Sequence, residues 1–353
     1  MDYHQMYQAL NRELHHRLPE ASEAQLRNQA LFTLALAYSP NCHLATLALR
    51  LPLPAKRENL VQRLRRWLDC PSVTQQRCYL PLVQQLFEQW PAREVSLVMD
   101  RTDIEDRWSL LMLAAAHEHR ALPLAWRVLP FGGTDAQTQV ELLQQVRPWL
   151  PNQVRVNFYG DAEFRAVPLQ RACQAFQWHW QVGLKSDILF RLPSSDWKPL
   201  RSLNLSPGQR RYVHGITLTK EHAFGPVHLL ADWNPNEPSP RYVVSDQLTN
   251  RHAWRRGRKR FWIEPFFRDW KSYGFDLERS KVVAPHRLEG LLLGMGTTTL
   301  WLAHIGQWLK RTGRSALVEA AHKRDYSLFR KARDYVFRSQ VMHWPVPIGF
   351  DVS

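Results

Sequence analysis

The succession of elements between residues 91 and 185 constrains this chain more than any other feature. Arg93 through Asp100 is a short apolar run that closes on an acid, and it reads as a buried strand. Two more strand-like runs follow, at 108–115 and 122–129. Phe131, Gly132 and Gly133 then make a turn, with Thr134 or Asp135 as the cap of a helix. That helix runs to about 146–150, with Val140, Leu142, Leu143 and Val146 inward. Val154, Val156 and Phe158 alternate in a strand ending at Tyr159, Gly160 and Asp161. A helix over 164–176 leads to a last alternating strand through Trp178, Trp180 and Val182. The order is therefore three strands, helix, strand, helix, strand, with an acid closing the first and the fourth. A carboxylate at a strand's end reaches solvent while its backbone stays locked in the sheet. Two such acids on neighbouring strands form the oxygen-rich pair that a hard divalent cation needs. Either aspartate alone reads as a turn residue or a helix cap; the pair in this order carries the inference.

A third acid stands in a later stretch, Arg258-Lys-Arg-Phe-Trp-Ile-Glu-Pro-Phe-Phe-Arg-Asp-Trp-Lys271. Glu264 sits there among Arg260, Arg268 and Lys271. Ile263, Phe266, Phe267 and Trp270 follow the i, i+3, i+4, i+7 spacing of a buried helix face. Pro265 disfavours helix at the residue before it, which predicts Glu264 at the helix's first edge and Arg260 ahead of it. Alone, this stretch is also compatible with a solvated, charge-rich helix. Joined to Asp100 and Asp161, it gives the element order of a ribonuclease H-like α/β core, a mixed sheet flanked by helices.

Composition bounds the partners. The 353 residues carry 47 Lys+Arg against 32 Asp+Glu, a net charge of +15, which favours a polyanion, nucleic acid before a membrane surface. Cys42, Cys70, Cys78 and Cys173 form no C-x-x-C pair, so reduced thiols in a cytosolic protein are expected rather than a zinc site. The first residues lack the basic-then-apolar pattern of a signal peptide. Residues 288–309 are apolar enough to raise a membrane span, but Glu289, His304 and Gln307 point to a buried helix. His117, Glu118 and His119 do not make the H-E-x-x-H spacing of a metalloprotease.

The flanks divide the chain further. Residues 1–90 read as helical: one helix over 24–38, a short one over 42–51 capped by Asn41, and a third that turns Leu60, Val61, Leu64, Trp67 and Leu68 to one face. Their basic outer side suits a domain that binds DNA ends, with a helical cap as the alternative. Residues 91–185 form the first part of the core and 251–310 the second, with the Glu264 helix. Between them, 186–250 holds strand-like runs and reads as an inserted β-subdomain. Its Trp233 is either a platform for a base or a tryptophan packed in a turn. Residues 311–353, preceded by Lys310 and including Arg311, Arg314, Lys323, Arg324, Arg330, Lys331 and Arg333, form a basic helical segment open to DNA, a partner subunit or water.

Three local sequences carry a resemblance: Leu97-Val-Met-Asp-Arg-Thr102, Tyr159-Gly-Asp-Ala-Glu-Phe164, and the stretch from Gly257 to Lys271. They resemble the DDE transposases of bacterial insertion sequences, of the insertion sequence 4 type, over roughly residues 40–340. Arg260, Glu264 and Lys271 fill three of the four positions of that family's Tyr-x2-Arg-x3-Glu-x6-Lys motif. Gly257 stands where the family has Tyr, and Ala162 where an Arg is common. The resemblance implies Asp100, Asp161 and Glu264 as catalytic residues holding two Mg²⁺ or Mn²⁺ ions. It implies Arg260 and Lys271 on DNA phosphates, with Trp233 a further candidate DNA contact. It also implies double-stranded DNA with terminal inverted repeats as substrate, target DNA, cut-and-paste movement through a hairpin intermediate, a synaptic homodimer, and a bacterial, nucleoid-associated location in the cytoplasm. Two alternatives stand beside it: a ribonuclease H-like nuclease without strand transfer, and a decayed DNA-binding protein.

Overall fold

The computed structural model describes residues 2–88, 90, 92–320 and 326–352. Lys323 and Arg324 of the basic segment lie outside them. The chain starts with helices α1 (Tyr3–Arg17), α2 (Glu23–Ala37), α3 (Leu44–Ala48), α4 (Arg57–Leu68), α5 (Gln75–Cys78) and α6 (Leu80–Glu88). Asp2 and Ser22 cap α1 and α2, each accepting a bond from the amide three residues on. On α4, Leu60, Leu64, Trp67 and Leu68 are buried while Arg65 and Arg66 face outward, as the 3.6-residue period predicts. The helix expected over 42–51 is shorter, and Asn41 does not cap it. The Asn41 side chain instead accepts from the His43 amide at 3.1 Å, so the chain is still turning where the helix was expected to begin.

The sheet begins with β1 (Glu94–Ile104), β2 (Trp108–His117) and β3 (Arg120–Pro130), an antiparallel meander. Helix α7 (Ala136–Val146) is capped by Asp135, whose carboxylate accepts from the Thr138 amide at 2.8 Å. It leads to β4 (Arg155–Gly160), which lies parallel to β1. Helix α8 (Val167–Ala175) then leads to β5 (His179–Leu184), parallel to β4. The stretch expected as an inserted β-subdomain holds β6 (Leu189–Arg191), β7 (Lys198–Pro199), β8 (Arg210–Leu218), β9 (Phe224–Asp232) and β10 (Arg241–Ser245). It does not close on itself: β10 pairs antiparallel with β5, so these strands extend the same sheet. The sheet's order is β3-β2-β1-β4-β5-β10-β9-β8-β6-β7, ten strands among the described residues.

The remaining helices are α9 (Arg251–Gly257), α10 (Ile263–Arg268), α11 (Pro285–Arg311) and α12 (Leu328–Met342). Between α9 and α10 the chain tightens to a 3₁₀ turn, Arg258–Trp262, and after α10 it widens to a π turn, Asp269–Tyr273. Helix α11 is buried along most of its 27 residues. Its Thr297 receives a bond from Gln29 of α2 at 3.1 Å, and its Thr299 one from Trp270 at 3.0 Å. Its Glu289 accepts from the Val128 amide of β3 at 2.8 Å. One apolar cluster runs from Met6 in α1 to Val352, so the early helices and the sheet share a core. No helix among the described residues is long and apolar enough to cross a membrane. The four cysteines are free thiols.

Candidate functional site

Register brings the first two acids together. Met99 lies opposite Gly160 in the parallel pairing of β1 with β4, so Asp100 and Asp161 are the next residues on adjacent strands. Asp161 does follow its strand. Asp100 does not close β1, contrary to the sequence expectation. The strand runs on to Ile104 because β2 keeps pairing with it, through Asp100–Met112 as far as Ile104–Trp108. What stops beside Asp100 is β4, and that leaves the carboxylate at an open notch in the sheet.

Each aspartate is fixed by its own loop. The Arg101 amide donates to Asp100 at 2.8 Å, and the Glu163 amide donates to Asp161 at 2.8 Å, closing the 3₁₀ turn Ala162–Phe164. Burial pushes the Asp100 carboxyl up to about 6, and the nearby charges of Asp161 and Glu264 push the same way. The Arg101 amide and the Arg260 guanidinium oppose that rise without cancelling it.

The third acid arrives on the helical stretch after β10. Its apolar stripe docks as expected: Ile263, Phe266, Phe267 and Trp270 are all buried. Pro265 has the predicted effect. Arg260 lies in the 3₁₀ turn and Glu264 in the first turn of α10, with 52% of its side chain exposed. Lys259 pins the turn to β1, donating to Ser96 at 2.9 Å and pairing with Glu94 at 3.5 Å. Arg260 then lies between two of the acids, 3.9 Å from Asp100 and 3.5 Å from Glu264, with its guanidinium 4.2 Å from the centre of the Phe261 ring.

The other expected contacts are engaged elsewhere. The Lys271 ammonium donates to the Asp103 carbonyl at 2.7 Å and pairs with Glu278 at 2.8 Å, bracing the far end of β1. Trp233 is half-buried, and its indole N–H donates to the Glu237 carbonyl at 3.0 Å. Gly257 is explained by a neighbour: a Cβ there would overlap the Gln181 carboxamide from β5, so a side chain at 257 has no room while Gln181 keeps its place.

Glu163 was missed from sequence. It accepts from Arg101 at 3.0 and 3.1 Å and from the Thr134 hydroxyl at 3.0 Å, so one carboxylate ties β1, the turn after Asp161 and the start of α7 together. The Ser109 hydroxyl and Arg101 both meet Asp103 beside it. The signal was present in charge alternation directly after each aspartate, but nothing in the sequence said which charges would meet.

The donor chemistry suits a hard divalent cation: carboxylate oxygens, no thiolate, and a largely buried acid that feels the charges of two others. Among the described residues, however, no three His, Cys, Asp or Glu side chains converge closely enough to hold a metal ion as they stand. The positive charge between Asp100 and Glu264 is that of Arg260.

This arrangement defines a mixed α/β domain with an acidic centre at the notch of its sheet. The sequence family described as the transposase DDE domain matches residues 90–302, more than half of the chain, and the protein belongs to that family. No curated protein matches it. Among solved structures it is similar to the piggyBac transposase in a synaptic complex with hairpin DNA. That match has 11% identity over 98% of this chain and 80% of the other, at a TM-score of 0.46.

Proposed function

We propose that this DDE-type transposase cuts DNA at terminal inverted repeats and joins the freed ends to target DNA, as an insertion-sequence enzyme of the insertion sequence 4 type. The observation that carries the reading is the register placing Asp100 beside Asp161, with Glu264 on the helix that faces them through Arg260. The order β3-β2-β1-β4-β5 supports a ribonuclease H-like core. In this reading the division of labour follows the sequence: residues 1–90 bind the transposon end, 186–250 add contacts along the DNA, and a synaptic homodimer pairs two ends.

Asp100, Asp161 and Glu264 would hold two Mg²⁺ or Mn²⁺ ions. When bound, such ions make a nucleophile of a water or a 3′-hydroxyl and offset charge on the leaving oxygen. The residues' own work is positional. Lys259, the Phe261 ring and Glu163 fix the directions from which the acids and Arg260 face the notch. Arg260 is placed to turn from its acids to the phosphate beside the cleaved bond, where a guanidinium binds in bidentate fashion. Lys271 would reach DNA phosphate only by leaving Glu278 and the Asp103 carbonyl, and Trp233 would serve as a platform for a base.

The test uses labelled DNA carrying the inverted repeats that flank the coding region, with Mn²⁺. Asp100→Asn, Asp161→Asn and Glu264→Gln should each reduce cleavage by more than about 100-fold, the loss that disturbing even an outer partner of a metal ligand can cause. DNA affinity should persist. Cleavage surviving in any of the three removes that residue from the reaction. Cleavage without joining in a strand-transfer assay favours the nuclease reading instead.

A further inference from the structure

Beyond the acids lies an open cavity of about 640 Å³, between the end of α10, the loop after α2 and the start of α12. Four arginines reach it, Arg120, Arg268, Arg330 and Arg333, against two carboxylates, Asp269 and Asp334. Two of the four are spent on the protein itself. Arg120 pairs with Asp269 at 3.3 Å. Arg333 is largely buried, and its guanidinium donates to the carbonyls of Ser39 and Gly274.

The other two are exposed and more loosely held. Arg268 is exposed and, among the described residues, makes no hydrogen bond or ion pair. Arg330 has 61% of its side chain exposed; its carboxylate partner, Asp334, is 3.8 Å away. Its guanidinium lies 4.1 Å from the centre of the Tyr326 ring, and both residues line the cavity. The N-terminus of the 15-residue helix α12 opens here too, adding the positive end of its dipole.

We infer that this cavity binds the phosphodiester backbone of DNA, through Arg268 and Arg330, as a second anchor beyond the acidic centre. The inference rests on the DNA reading above and extends it. Arg268 is four residues after Glu264 on the same exposed side of α10, about 6 Å further along the helix axis. With a rise of about 3.4 Å per nucleotide, a strand whose reacting phosphate meets the acids brings the next one or two phosphates to Arg268. Two exposed guanidinium forks suit phosphate oxygens, and the exposed Tyr273 ring at the rim leaves room for the attached nucleoside.

The experiment measures binding of the full-length protein to a labelled DNA duplex by fluorescence anisotropy, without divalent metal, across a series of NaCl concentrations. For Arg268→Gln/Arg330→Gln, the slope of log affinity against log salt should flatten by about 2, since each phosphate contact contributes about 0.9. A charge-matched control is Arg93→Gln/Arg155→Gln. These arginines sit where β1 and β4 begin, at the opposite end of those strands from Asp100 and Asp161. The control should keep the wild-type slope. An unchanged slope in Arg268→Gln/Arg330→Gln, with normal wild-type binding, overturns this inference alone. Weakened self-association with an unchanged slope also overturns it, and gives the cavity to an acidic segment of a second copy. A wild-type protein that does not bind DNA overturns this inference and the proposed function together.

Discussion

Arg260 supplies the positive charge between two of the candidate acids. It lies 3.9 Å from Asp100 and 3.5 Å from Glu264, in a 3₁₀ turn held to β1 by Lys259. Two like charges near a buried carboxylate are costly, and a guanidinium beside them lowers that cost. Removing it should therefore leave the acids more receptive to a divalent cation. Arg260→Gln, free of DNA, should bind Mn²⁺ roughly tenfold more tightly than wild type in isothermal titration, a modest gain because Glu264 is half-exposed and screened. Equal or weaker binding would show that Arg260 does not compete for the acids. Gly257 shows the same dependence of one residue on another. Its lack of a side chain looks like a loss when read along the chain, yet in space it is the counterpart of Gln181.

Among elements, α11 links the two halves of the molecule, and Glu289 is its polar attachment to β3. Burial raises the Glu289 carboxyl above its ordinary value, while the bonds from the Val128 amide and Gln75 pull it back in part. For an acid raised on folding, the folded state holds the proton more tightly. Its contribution to stability is thus complete at pH below the unfolded value and is lost as pH climbs through the folded one. Glu289→Gln keeps an oxygen to accept from Val128 and never carries the buried charge. Its melting temperature relative to wild type should therefore rise between pH 4 and pH 8 in thermal scans. A difference independent of pH would mean that Glu289 is solvated in the folded protein. The helical stretch from Arg251 to Tyr273 makes a related point: changes of pitch at Arg258–Trp262 and Asp269–Tyr273 let one apolar stripe stay buried despite Pro265.

For the whole molecule, the shared core predicts how it can be divided. Helix α2 buries Leu26 and every residue from Gln29 to Ala37, and Gln29 and Thr33 both bond to α11. The early helices thus cover a face of α11 that a free catalytic core would expose. A protein lacking residues 1–88 should fail to fold or should aggregate, seen as loss of cooperative thermal unfolding and of near-ultraviolet circular dichroism. A well-folded truncated protein would show instead that residues 1–90 are an independent domain.

Apolar runs, periodicity and turn residues carried the strand and helix order of residues 94–184, a helix cap at Thr134 or Asp135 and the buried stripe through Trp270, and the polar residues within 288–309 marked that stretch as a buried helix. Each depends on neighbours a few residues apart along the chain. The three acids could be named as candidates, because their types and local surroundings are sequence properties. Tertiary structure alone decided that Asp100 lies beside a strand's end rather than at one, and that residues 186–250 extend the sheet. It also decided that Glu163 binds Arg101, and that Arg260 stands between two acids. These depend on which strand pairs with which and where the pairing stops. The free energy of such contacts between distant segments is realised only when the whole sheet closes around its core.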